Sequence, residues 1–143
     1  MITNFLKKTK QEEKNIDTDN LIKITALLVH AAKIDDNYTA NEKEIIADFL
    51  KSTKKNINIE DLIKKAEIEE NDSNQILKYT QEIKKNSLEF KKMIIKTLWK
   101  IILSDNKSDL YEGNLMRRLA GLLYVSDKLC GEIKLEALEN KKV

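Results

Sequence analysis

The segment SLEFKKMIIKTLWKIIL, from Ser87 to Leu103, decides the fold class of this chain. Ser87 is a favourable helix N-cap, and apolar residues follow it at helical spacing. One face is formed by Phe90, Ile94, Leu98 and Ile101, and it is widened by Met93, Ile95 and Ile102. An apolar face of this breadth is typical of a helix that is covered on most sides. The segment therefore predicts a central, buried helix.

Cap signals divide the rest of the sequence into further helices, each with apolar residues at helical spacing. The predicted caps are Asp17–Asn20, Thr39 with Glu42, Asn58, Ser73, Asp109 with Glu112, and Ser126. Pro is absent and Gly occurs only three times, so residues that break helices are scarce. We predict an all-α fold, a compact bundle of about seven helices.

The length of 143 residues suits one domain, and 41% hydrophobic residues are enough for a core. Within it we predict a flexible or short helical segment over residues 1–16, a helical domain over residues 17–139 and a frayed tail over residues 140–143. Charged residues reach 35%, and this excess is expected on solvated helix faces.

Charge, hydropathy and cysteine content exclude several classes of function. The 26 basic and 24 acidic residues are interspersed, which argues against nucleic-acid binding. The longest apolar stretch, Leu21 to Ile34, is too short and too polar for a transmembrane segment. Met1 to Lys10 does not look like a signal peptide, and the single Cys130 can form no internal disulfide. We therefore expect a reducing compartment and a cytoplasmic location.

The sequence contains few of the residues that most often act in catalysis. His30 is the sole histidine and Cys130 the sole cysteine, too few for a zinc site or a convincing nucleophile arrangement. A Gly-rich phosphate loop is also missing. We expect a protein that is not an enzyme and has no firmly bound cofactor.

Two stretches of the sequence resemble each other at an offset of 70 residues. Residues 28–35 (LVHAAKID) align without a gap with residues 98–105 (LWKIILSD). The matched pairs include Asp35 with Asp105, Glu42 with Glu112, and Phe49 with Leu119. Each half is a helix, an acidic loop and a second helix, and two copies are too few for a solenoid. The repeat predicts two pseudo-symmetric helical hairpins.

The acidic loops, residues 35–42 (loop one) and 105–112 (loop two), carry oxygen-bearing side chains at alternating positions. Hard cations such as Ca²⁺ and Mg²⁺ bind ligands of this kind. The candidate metal ligands are Asp35, Asn37, Thr39, Glu42, Asp105, Asp109 and Glu112. An EF-hand does not explain the pattern, because Ala40 and Leu110 occupy the position of its invariant glycine.

Helix capping is a competing explanation for the same residues. Thr39 and Asp109 are ordinary N-caps, and Glu42 and Glu112 complete capping boxes. Capping does not explain the leading aspartate of each loop, which follows a helix C-terminus where the dipole disfavours a carboxylate. Both explanations stay open at this point.

At these residues the sequence resembles the TerB-like family, the tellurite-resistance protein B group. That family carries, twice, an apolar helix, an Ala-Asp-Gly turn, an acidic residue four positions after the Asp, and then a Glu and a helix. Asp35, Thr39 and Glu42 match the first copy, and Asp105, Asp109 and Glu112 match the second. The resemblance covers roughly residues 21–137. Residues 122–126 (LLYVS) are similar to the family's Leu-Leu-Gly-Leu-Ser helix link.

The sequence departs from the family pattern at several loop positions. Asp36 and Asn106 stand in place of the family glycine, Thr39 replaces an acid, and Lys107 occupies a position where an acid is common. Lys107 also stands where loop one has Asn37, and its ammonium competes with a cation. We therefore expect loop one to be the better cation site, with weak affinity in the sub-millimolar to millimolar range of open calcium modules.

The resemblance implies an all-helical fold, divalent-cation binding at the acidic loops, and a role in stress response or membrane-associated assemblies. It implies no established reaction. A related domain is the N-terminal part of a membrane-anchored DnaJ-type co-chaperone, although this chain lacks the His-Pro-Asp signature of a J domain. We expect a non-catalytic TerB-like module with a protein partner. The alternative is a structural helical adaptor with capped loops and no metal. Peripheral membrane association and the oligomeric state stay open.

Overall fold

The computed structural model describes residues 17–34, 37–73, 76–104 and 110–141. In these ranges the chain forms seven α-helices and no strand, which confirms the all-α prediction. They are α1 (Thr18–Ala32), α2 (Ala40–Thr53), α3 (Ile59–Ser73), α4 (Ile76–Lys84), α5 (Leu88–Leu103), α6 (Leu110–Leu122) and α7 (Asp127–Lys141). None of these helices combines the length and the apolar character that a membrane span requires.

Side-chain caps fix the starts of most helices, as the sequence predicts. The backbone N–H groups of Asp61, Phe90 and Leu129 donate to the side chains of Asn58, Ser87 and Ser126, at 3.1, 3.2 and 3.1 Å. The predicted cap at Ser73 is wrong, because Ser73 is the last residue of α3, while the helix that it was expected to cap, α4, begins at Ile76.

The helix boundaries follow the sequence repeat. The pair α1 and α5 starts at Thr18 and Leu88, and the pair α2 and α6 starts at Ala40 and Leu110, so both pairs are offset by 70 residues. Equivalent apolar residues are buried in both halves, as Leu28 and Leu98 show with 0% exposure each. The first and second hairpins therefore use the same pattern of burial.

One core lies between the helices, with α5 at its centre in contact with α1, α2, α4, α6 and α7. The residues that the sequence assigns to a shared core are all buried: Leu28, Phe49, Ile94, Leu98, Trp99, Ile102 and Leu119. The Trp99 indole Nε1–H donates to the carbonyl oxygen of Cys130 at 3.2 Å and so ties α5 to α7.

The packing of α3 against α1 places its second half near loop one. Helix α1 makes its most extensive contact with α3, and α3 also contacts α2. Because loop one joins α1 to α2, α3 crosses the two helices that the loop connects. This arrangement positions the candidate site.

Candidate functional site

The end of loop one is a helix cap. The Glu42 backbone N–H donates to Thr39 Oγ1 at 3.1 Å, while Glu42 Oε1 accepts from the Thr39 backbone N–H at 2.8 Å and from Thr39 Oγ1 at 3.0 Å. Glu42 is buried, with 3% exposure. The predicted capping box is confirmed, and these two candidate ligands are bound to each other.

The other candidate ligands are only partly covered by the structure. Asn37 is described and exposed. Asp35, Asp105 and Asp109 lie outside the described residues, as does the side chain of Glu112. Within the part of the chain that is described, no three His, Cys, Asp or Glu side chains form a group suited to a metal ion. The assignment of the leading aspartates as ligands therefore stays a prediction.

A buried carboxylate on α3 contacts the end of α1, just before loop one. Glu70 is 5% exposed, and its Oε2 lies 2.7 Å from Lys33 Nζ. Its Oε1 lies 3.2 Å from His30 Nδ1, which donates in the tautomer that carries a proton there. Burial alone would raise the pKa of Glu70, but the hydrogen bonds and positive charge of Lys33 and His30 outweigh burial and lower it. Glu70 is therefore held as a carboxylate.

A second carboxylate on α3, that of Glu67, contacts Lys43, the residue that follows loop one. Glu67 Oε2 lies 3.3 Å from Lys43 Nζ, and Lys43 Nζ lies 5.1 Å from the centroid of the Tyr38 ring. The Tyr38 hydroxyl is buried without a partner at ordinary hydrogen-bond distance in the described structure. Burial, and then the charge and proximity of Glu67, raise the pKa of Tyr38 far above its usual value. Tyr38 is therefore a neutral phenol.

Glu67 and Glu70 lie three residues apart, on the same side of α3. Glu70 binds the chain before loop one and Glu67 binds it afterwards. We call the set His30, Lys33, Lys43, Glu67 and Glu70 the α3 clamp. The sequence reasoning missed the clamp, because the acidic run in the second half of α3 looks like a solvated surface. The three-residue spacing of the two glutamates is the one local signal that could have indicated it.

Charges in the described surroundings of loop one nearly balance. The described residues here include three carboxylates, those of Glu42, Glu67 and Glu70, and two ammonium groups, those of Lys33 and Lys43. His30 lies beside Glu70. A bound cation would therefore need further negative charge, and the leading residues of the loop, Asp35 and Asp36, carry it in the sequence.

The described environment offers little for nucleophilic chemistry. The described contact of the His30 ring is with Glu70 rather than with a serine or cysteine. Cys130 is buried, and burial raises the pKa of its thiol, which leaves the thiol protonated and weakly reactive.

A sequence model of the family described as tellurite resistance protein TerB matches residues 21–135. The chain belongs to the TerB family. No curated protein and no solved structure matches it. The matched range begins in α1 and ends within α7, so it includes both hairpins and the α3 clamp.

A TerB-type feature outside the loops departs from the family pattern. Tyr124 stands where the family link Leu-Leu-Gly-Leu-Ser has glycine, and its φ is 59°, in the left-handed region. The Val125 N–H donates to the Ala120 carbonyl at 2.8 Å, which closes the end of α6. This backbone conformation favours glycine, but in this chain an aromatic side chain occupies it.

Proposed function

We propose that this TerB-family chain is a non-catalytic module that binds a divalent cation, Ca²⁺ or Mg²⁺, at loop one. It would act through a protein partner in stress response or in membrane-associated assemblies. The α3 clamp is the observation that carries this proposal, because it connects both ends of loop one to a helix of the core.

The clamp couples loop one to the rest of the fold. A free loop could bind an ion without consequence, since its ends could move independently of the core. Here Lys33 and Lys43, on either side of the leading loop residues, are paired with Glu70 and Glu67 of one helix. A cation that draws Asp35 and Asp36 together would shift the positions of both lysines, and α3 would respond.

Within loop one we assign the binding role to the carboxylates of Asp35 and Asp36, with Asn37 next to them in the sequence. Thr39 and Glu42 are already engaged in the capping box, so their role is to fix the start of α2. The small number of available carboxylates keeps the expected dissociation constant in the sub-millimolar to millimolar range.

Amide NMR during titration with calcium and magnesium chlorides tests the proposal, and line broadening by manganese chloride gives a second readout of the same site. We expect shifts in residues 35–42 that extend to Lys33, Lys43 and the second half of α3. Asp35→Asn should abolish them, while Asp105→Asn should leave them nearly unchanged. Asp48→Asn is the matched control, because it makes the same chemical change at an exposed carboxylate of α2.

Two results would contradict the proposal in different ways. Loss of binding in Asp105→Asn but not in Asp35→Asn would move the site to loop two. No shift with calcium or magnesium and no line broadening with manganese, each at millimolar concentration, would leave loop one as a capped turn and favour the structural adaptor.

A further inference from the structure

The 70-residue repeat extends beyond the two hairpins, towards the start of the chain. Residues 6–14 (LKKTKQEEK) align without a gap with α4, residues 76–84 (ILKYTQEIK). Four of the nine aligned positions are identical, namely those of Lys8, Gln11, Glu12 and Lys14. Residues 6–14 precede both the described part of the chain and the range that the family model matches. The alignment makes them the counterpart of α4 in the first half of the chain.

The connection to the next helix is equivalent in the two halves. Helix α4 ends at Lys84, three residues follow, and α5 begins with the side chain of Ser87 as its cap. In the first half, three residues likewise separate Lys14 from the start of α1, and the side chain of Asp17 is the cap. A helix over residues 6–14 therefore joins α1 by the same length of chain as α4 joins α5.

The contacts of α4 indicate where its counterpart lies. Helix α4 packs against α1 and α6. Exchange of the two halves of the repeat turns this pair into α5 and α2. The other contacts between helices follow the same exchange, since α1 contacts α3 as α5 contacts α7, and α2 contacts α3 as α6 contacts α7. The surface between α2 and α5 is therefore the place equivalent to the one that α4 covers.

That surface is a groove of about 340 Å³, lined by residues of α2 and α5. Three of its lining residues correspond at the 70-residue offset to three that line a second cavity: Ile45, Asp48 and Lys100 correspond to Leu115, Arg118 and His30. Ile76 of α4 also lines this second cavity. Because Leu6 is the counterpart of Ile76, the repeat places Leu6 in the groove beside Ile45.

The inner face of residues 6–14 is more polar than that of α4, and the groove is polar as well. Lys10 and Glu13 stand where α4 buries Thr80 and Ile83. The groove offers charges of both signs to them, those of Asp48, Lys96 and Lys100. The ion pairs that Asp48 and Lys96 already make, at 4.0 and 3.8 Å, are longer than hydrogen bonds. With fewer apolar atoms to bury, a helix here is held less firmly than α4.

We propose that residues 6–14 form a helix that docks in the groove between α2 and α5, as α4 packs against α1 and α6. Leu6 contacts Ile45, while Lys10 and Glu13 face the charged residues of the groove. The groove is then occupied from within the chain, and a helix of a partner protein reaches it only by displacing residues 6–14. The proposal does not depend on cation binding at loop one.

A methyl NOESY spectrum of the full chain, with labelled Ile and Leu methyl groups, tests the proposal. We expect nuclear Overhauser effects between the methyl groups of Leu6 and Ile45. The equivalent pair Ile76 and Leu115 is the control in the same spectrum, because both residues line one cavity. If the control pair gives a signal and Leu6 gives none to any residue of α2 or α5, the proposal is wrong. A sample that mixes labelled and unlabelled chains tests for a second copy as the occupant, and signals from Leu6 that pass between chains would also overturn the proposal.

Leu6→Gln and Lys7→Gln form a matched pair of variants on this segment. Leu6 is the counterpart of Ile76, whereas Lys7 is the counterpart of Leu77, which is 55% exposed on α4. Leu6→Gln should speed amide hydrogen exchange of residues 10–14 by about tenfold, because the helix loses its apolar contact with the groove. Lys7→Gln should leave these rates unchanged. Equal exchange rates in the wild type and Leu6→Gln would overturn the proposal, as would equal acceleration in the two variants.

Discussion

Replacing Leu98 by alanine removes a side chain at the centre of the core. Leu98 is 0% exposed and lies on α5, the helix that contacts both hairpins. The lost burial and the cavity left behind cost about 2–5 kcal/mol for a leucine of this kind. Because a domain of this size has a free energy of unfolding of about 5–15 kcal/mol, the loss is a large share of its stability.

Urea unfolding followed by circular dichroism measures this change directly. We expect the urea midpoint to fall, with little change in the slope of the free energy of unfolding against urea concentration, since the protein loses stability but keeps its fold. Leu135→Ala is the matched control, because Leu135 is 62% exposed and should change the free energy of unfolding by less than about 0.5 kcal/mol. A similar small loss for Leu98→Ala would refute the assignment of the inner face. Leu28→Ala, at the equivalent position of the first hairpin, should fall in the same range as Leu98→Ala if the two hairpins share one core.

The α3 clamp and the loop-one cap allow two further stability predictions. Glu70→Gln should cost about 1–2 kcal/mol at neutral pH, because it removes charged hydrogen bonds to His30 and to the part-exposed Lys33. The folded-state pKa of Glu70 is lower than its unfolded value of 4.5, so its stabilising effect is complete above pH 4.5 and is lost as pH falls through the folded value. The difference between wild type and Glu70→Gln in chemical unfolding should therefore shrink below pH 4.5, and a constant difference would contradict the argument. Thr39→Ala should lower the free energy of unfolding by about 1 kcal/mol, since Glu42 loses its capping partner. Thr39→Ser keeps the hydroxyl and should cost little. Equal losses in the two variants would show that the hydroxyl is unimportant.

Local sequence signals predict the helices well because the interactions that define a helix join residues close together in the chain. The hydroxyl of Ser87 caps α5 within one turn, and the periodic apolar residues of α5 define its buried face without knowledge of its neighbours. The same reasoning is less exact at Ser73, which has the character of an N-cap but is the last residue of α3. The family identification also follows from local motifs repeated at a fixed offset.

The α3 clamp could not be predicted in the same way, because its ion pairs join residues far apart in the chain. Glu70 is 37 residues from Lys33 and 40 from His30, and nothing near Glu70 indicates which helix it faces. The left-handed conformation of Tyr124 could have been inferred, since the helix link resembles one with glycine at that position. The contact of Lys84 with the Tyr124 ring required the tertiary structure.

The internal repeat bears on the choice between the two loops. If the two hairpins arose from one pattern, a clamp essential to the fold would be expected in both. The sequence offset of 70 residues pairs each clamp residue with one in the second half of the chain. His30, Lys33, Lys43, Glu67 and Glu70 correspond, in that order, to Lys100, Leu103, Gly113, Ala137 and Asn140. Only the first pair keeps a basic side chain, and neither carboxylate has a counterpart, so the residues aligned at this offset could not form the same set of ion pairs. The duplicated core therefore does not require these residues, which agrees with a specialised role of the clamp at loop one.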